Sequence, residues 1–139
     1  MAGYSGTPLP QKLGIKPGFK VALPQLPPDV HKNLEAALGT CEITDKGKVP
    51  LDLVLNFVTD KKHLLASFPA WASRLTPAGM LWIAWPKKSS GVETDLDENK
   101  IRAIGLDAGL VDVKVCAISE TWSGLKFVRR VKDRAKPAR

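Results

Sequence analysis

Residues 51–58 read Leu51-Asp52-Leu53-Val54-Leu55-Asn56-Phe57-Val58, and this stretch decides the fold. A strand with one face in water alternates apolar and polar residues, whereas this run is apolar nearly throughout, the pattern of a strand covered on both faces. The chain that follows supplies a cover. Asp60 is placed to cap a helix in which Leu64, Phe68, Trp71 and Leu75 recur at helical spacing and make one apolar stripe. Pro69 is expected to kink or split that helix. Thr76-Pro77-Ala78-Gly79 then reads as a turn, and residues 80–85 as a second doubly covered strand stopped by Pro86.

Further along, a helix is predicted to begin near Asp95, because Thr94 with Asp97 and Asp95 with Glu98 both have capping-box spacing; Ile101, Ile104 and Ala108 mark its buried side and Gly109 its end. Residues 111–118 alternate, Ser123-Gly124 follows, and residues 125–131 complete a hairpin at a sheet edge, with Trp122 in the connection. Upstream, residues 19–23 form a short strand ending at Pro24. A helix starts at Pro28 with Asp29 in its first turn, places Val30, Leu34 and Leu38 on one face, and ends at Gly39 in the left-handed conformation. Residues 40–43 are a short strand candidate. Strand and helix thus alternate, which predicts an α/β fold: a three-layer Rossmann-like sandwich, its sheet mostly parallel and finished by an antiparallel C-terminal hairpin strand. The expected organisation is an extended arm over residues 1–18, with at most a helical turn, one domain over 19–131, and a basic disordered tail over 132–139.

The chain has 139 residues, 44% of them apolar, enough for one domain with its own core. Its longest apolar runs are far shorter than the ~20 residues that cross a bilayer, and no basic segment followed by an apolar one opens it, so a cytoplasmic protein is expected. Cys41 and Cys116 read as buried reduced thiols, and the two histidines, His31 and His63, have no spacing that holds a transition metal, so no metal is expected. The formal charge is +7, yet residues 129–139 carry six of the 21 basic residues and one of the 14 acids, leaving only +2 on the remainder. Nucleic acid is therefore an expected partner only through the tail.

Residues 51–58, the helix after them, Leu75-Thr76-Pro77-Ala78-Gly79-Met80-Leu81-Trp82-Ile83 and Gly109-Leu110-Val111-Asp112-Val113-Lys114 resemble the later half of the class I methyltransferase fold. Tyr4-Ser5-Gly6-Thr7-Pro8-Leu9, Trp85-Pro86-Lys87-Lys88, Gly91-Val92-Glu93-Thr94-Asp95-Leu96 and Trp122-Ser123-Gly124-Leu125-Lys126-Phe127 resemble an uncharacterised bacterial family, the domain of unknown function numbered three-zero-five-two. That second resemblance implies a small bacterial cytoplasmic protein and carries no activity. Methyltransferases need a glycine-rich turn after their first strand, where the backbone approaches the cofactor. Here that place reads Pro24-Gln25-Leu26-Pro27-Pro28, so no cofactor is expected and S-adenosylmethionine is set aside; Glu42 or Asp45 alone would be the acid that grips a ribose.

In open parallel sheets ligands bind at the carboxyl ends of strands, where residues 24–28, 56–60 and 86–93 should converge. Two cations and flexible donors suit a phosphate or carboxylate, so the candidate binding residues are Lys87, Lys88, Ser90 and Gly91, with Thr94 and Asp95 beside them and Trp122 and Ser123 as a stacking surface and its neighbour. Capping explains Thr94 and Asp95 more simply than a role as a base does, and core cover is the leading reading of Trp122. The function expected from these residues is a non-catalytic Rossmann-like module that binds a small anionic ligand or a protein partner. The alternatives are a divergent transferase using S-adenosylmethionine or a nucleotide, and a nucleic-acid-associated protein acting through its tail.

Overall fold

The computed structural model describes residues 6–44 and 46–134, and its elements run α1 (Leu9–Leu13), β1 (Lys20–Ala22), α2 (Pro28–Leu38), β2 (Glu42–Ile43), β3 (Leu51–Phe57), α3 (Lys61–Ala72), β4 (Leu75–Pro86), α4 (Glu98–Asp107), β5 (Leu110–Ala117), β6 (Trp122–Arg129) and α5 (Val131–Arg134). The six strands form one sheet in the order β2-β1-β3-β4-β6-β5. β2, β1, β3 and β4 are parallel, while β6 runs antiparallel to both β4 and β5. The predicted α/β sandwich with an antiparallel finish is the observed architecture.

Leu53, Leu55 and Phe57 of β3 face one helix layer and Val54 and Val58 the other, which is why the run does not alternate. The first layer is α1 and α2, whose Leu13, Val30, Leu34 and Leu38 pack on Trp82 and Ala84 of β4. The second is α3 and α4, whose Leu64, Phe68 and Ile101 pack on Leu81, Ile83, Leu125 and Phe127. Phe68 and Phe127 meet edge to face with ring centroids 5.2 Å apart. Each such fully buried side chain contributes about 1.5–3 kcal/mol, and the core is large enough to need no cross-link: Cys41 and Cys116 are free and only partly buried.

Local chemistry departs from the sequence-based expectations in several places. α3 is one continuous helix with Pro69 inside it. Pro69 has no N–H to give the Leu65 carbonyl, and the helix continues past that one lost bond to Ser73 N, which donates to Pro69 O at 3.0 Å. Residues 76–79 do not separate two elements, because β4 runs through them as an irregularity. Leu51 pairs with Leu75, yet Leu53 already pairs with Met80. Gly79 closes this excursion, since a Cβ there would lie 2.9 Å from the Leu51 carbonyl oxygen. Gly39 is right-handed (φ −63°), because the turn continues through hydrogen bonds from Thr40 to Ala37 and from Cys41 to Leu38 and needs no reversal. α4 begins at Glu98 with Asp97 as its cap, not near Asp95, and Trp122 is the first residue of β6 rather than part of the connection.

Within residues 1–18, α1 carries a fully buried Leu13 whose carbonyl accepts a 2.9 Å bond from the indole Nε1 of Trp82. Tyr4, Ser5 and residues 135–139 lie outside the described residues. No helix among the described residues is long and apolar enough to cross a membrane.

Candidate functional site

All four parallel strands present their carboxyl ends at one edge of the sheet, and the strand order reverses at β1, with β2 on one side and β3 on the other. In open α/β sheets the crevice at such a reversal is where ligands bind. Here it is built by the turn after β1. Leu26 N donates to Leu23 O at 3.3 Å, Pro24 occupies the second position of the turn, and Gln25 the third with φ +61°. That is the pattern of a type II turn, whose third residue needs a positive φ and is usually glycine. Gln25 is the only non-glycine residue with positive φ among those described.

Beside this turn lies a cleft of about 350 Å³. Leu23, Pro24 and Leu26 line one side, Ile43 and Thr44 at the end of β2 another, and His31 and Leu38 of α2 complete the lining. The lining is mainly apolar, with the His31 imidazole and the Thr44 hydroxyl as its polar side-chain groups. Ile43 is half exposed, an apolar side chain left uncovered at the mouth. Pro24, Pro27 and Pro28 have no N–H, so this turn offers a ligand fewer backbone donors than a glycine-rich one. Glu42 is exposed on β2, and Asp45, the other acid considered for this place, lies outside the described residues.

The residues singled out from the sequence divide into three groups. Lys87, Lys88 and Ser123 line a second, open groove of about 430 Å³ at the end of β4, where Asp97, Glu98 and Asn99 form the opposite wall. That groove carries both signs of charge. Ser90, Gly91, Thr94 and Asp95 hold the loop in place: Ser90 Oγ donates to Lys87 O at 2.6 Å, and Gly91 (φ +77°) closes the short 3-10 turn Lys88–Ser90. Thr94 Oγ1 donates to Thr59 O at 2.5 Å and accepts from Leu96 N, and the Asp95 carboxylate accepts from Lys61 N at 2.8 Å. The loop is therefore fastened across the end of β3. Trp122, finally, packs edge to face on Phe57 with centroids 5.0 Å apart and belongs to the core under α2.

Sequence reasoning brought residues 24–28 to the strand ends but selected no binding residue in the cleft between β1 and β2. Its walls are ordinary apolar residues, and what makes them a site is the reversal in strand order, which no local pattern encodes. The turn Leu23-Pro24-Gln25-Leu26 was the available signal, a proline-led tight turn directly after a strand.

No family model matches the chain, and no curated protein matches it. Solved structures do. The architecture aligns with a TehB-like SAM-dependent methyltransferase from Corynebacterium glutamicum at a TM-score of 0.55 and 8% identity, covering 93% of this chain and 91% of that one. It aligns with the magnesium protoporphyrin IX methyltransferase ChlM from Synechocystis PCC 6803, solved with bound SAH, at a TM-score of 0.55 and 13% identity, covering 87% and 78%. With TnmH the TM-score is 0.51 at 15% identity; the match covers 80% of this chain and 42% of that one, so the chain spans less than half of that protein. The fold is thus methyltransferase-like, a Rossmann-type sandwich of the class built by S-adenosylmethionine-dependent methyltransferases.

These neighbours overturn two expectations: that the chain is a non-catalytic module for an anionic ligand or protein partner, and that it has no use for a cofactor, with S-adenosylmethionine set aside. The second rested on the missing glycine after β1. Gln25 adopts the left-handed backbone that a glycine would otherwise provide there, so the tight turn forms without one.

Proposed function

We propose that this chain is a divergent transferase that binds S-adenosylmethionine in the cleft at the ends of β1 and β2. The observation that carries the proposal is the position and lining of that cleft: it sits at the reversal of strand order, beside a tight left-handed turn, and within the usual ~300–1,000 Å³ of small-molecule sites. Ile43, Leu26 and Leu38 give apolar surface for a planar base, while His31 and Thr44 offer it hydrogen bonds. Bound there, the cofactor supplies an electrophilic methyl group on a sulfonium. The chain's own contribution is to shield and orient the ligand; with three prolines between β1 and the first turn of α2, apolar contact carries more of the grip than backbone donors do. The likeness to the uncharacterised bacterial family is part of the same proposal, which places the protein in the bacterial cytoplasm.

Isothermal titration and thermal shift with S-adenosylmethionine, its demethylated product, nucleotides and acyl-CoA test this directly. Saturable binding of the first two, lost when Ile43→Arg places a charge in the cleft mouth, is the expected result. Stabilisation by a nucleotide or acyl-CoA alone, or binding indifferent to Ile43→Arg, overturns it.

A further inference from the structure

A group of cations on the α1 face of the β5–β6 hairpin is used by nothing described so far. Lys114 of β5 stands directly opposite Lys126 of β6, and Cys116 follows on the same face. This juxtaposition depends on a bulge. Asp112 pairs with Phe127, so a regular ladder would place Val113 against Lys126; instead the register shifts and Lys114 takes that position. The extra residue, Val113, is left exposed. A bulge that re-aims a side chain is a specific feature of a strand, and this one turns a cation toward another cation. Like charges directly opposite on one face are destabilising.

α1 adds a third cation. Lys12 lies over the same strands, its ammonium donating to Ala117 O at 3.2 Å, while Lys114 Nζ reaches the carbonyl of Lys12 at 3.4 Å. Lys12, Lys114 and Lys126 are the groups whose charge bears on Cys116. Lys126 is half-buried, and its pKa is held below the usual lysine range first by burial and then by the charge of Lys114. Three elements thus bring positive charge to one place, one of them through a departure from regular pairing.

We infer that Lys12, Lys114 and Lys126 bind a phosphate-type oxyanion on the α1 face of the hairpin. An anion at this place offsets the repulsion between the two cross-strand lysines, and lysine ammonium groups are suited to it as mobile point charges. The site shares no residue with the cleft at β1 and β2, so it stands independently of the function proposed above.

The test is titration of the chain with inorganic phosphate and, separately, with a nucleoside monophosphate, at constant ionic strength held with chloride. The same titrations are run on Lys114→Gln, on Lys126→Gln and on the double variant. The expected result is saturable binding that weakens at least tenfold in each single variant, with the double variant melting higher than the parent in phosphate-free, low-salt buffer because the repulsion is gone. Much tighter binding of the nucleoside monophosphate, with the same loss in the variants, assigns the phosphate to a nucleotide; equal affinities assign it to the free ion. Lys114 is exposed, so its single variant keeps the test valid if Lys126→Gln fails to fold. Unchanged affinity in the Lys114→Gln chain, or phosphate raising the melting temperature of parent and variants alike, overturns the inference.

Discussion

The Asp95 carboxylate accepts a 2.8 Å hydrogen bond from the backbone N–H of Lys61, 34 residues earlier in the chain. Asp60 caps the same helix through His63 N at 3.0 Å, so two carboxylates meet the amino end of α3, where unpaired N–H groups and the helix dipole favour negative charge. Together with the bond from Thr94 to Thr59, this fastens the loop after β4 across the end of β3. Asp95→Ala is therefore expected to cost about 0.5–2 kcal/mol, the usual range for a lost cap, and to speed hydrogen exchange at Lys61 more than at His63. Equal exchange at both amides in the variant would show that Asp60 alone holds the helix end.

Trp82 is fully buried in the middle of β4, and its indole N–H is matched to the carbonyl of Leu13 at the end of α1. Trp82→Phe keeps an aromatic ring but leaves that carbonyl without its partner, a loss of about 1–3 kcal/mol before any cavity is counted. The damage should be local as well as global. Limited proteolysis of the variant is expected to cut first within residues 6–18, and a parent-like cleavage pattern would mean that packing of Leu13 alone holds α1.

Gly105 lies inside α4, where helix propensity alone favours alanine by roughly 1 kcal/mol. Tertiary contact reverses that preference, since a Cβ at this position would fall 2.0 Å from the ring of Phe127. Gly105→Ala should destabilise by about 1–3 kcal/mol through overpacking, and Phe127→Leu should recover part of the loss. Denaturant unfolding of the single and double variants measures both; a neutral Gly105→Ala would show that α4 can move off the sheet without cost.

The elements that could be read from the sequence are those whose character is set by their own residues. Residues 51–58 and 80–85 are covered on both faces and say so by their composition, and Asp60 caps α3 as its position suggested. What stayed hidden depends on distant partners. Thr94 and Asp95 have capping-box spacing for α4, but Thr59 and Lys61 take their polar atoms and leave the cap to Asp97. The eight candidate site residues were chosen because they are polar, flexible or aromatic, and most of them serve the loop or the core. The cleft beside β1 is lined by residues that look like core in sequence and become a site only through the order of strands in the sheet.

The half-buried thiol of Cys116 yields a prediction about alkaline stability. Burial pushes its pKa above the ordinary value of 9.0, outweighing the opposing charges of Lys12, Lys114 and Lys126. In the unfolded chain the thiol releases its proton near pH 9, while in the folded chain it still holds it; the folded state then binds more protons, so stability falls as pH rises past about 9. Lys126 acts in the opposite sense, because its pKa is lowered in the fold and its penalty is relieved as pH rises toward 10.5. The two contributions are separated by measuring unfolding between pH 8 and about 10.5 in the parent, in Cys116→Ser and in Lys126→Met. Cys116→Ser is expected to flatten the loss above pH 9 and Lys126→Met to steepen it. An identical pH profile in Cys116→Ser and parent would show that the thiol is as free to ionise in the fold as in the open chain.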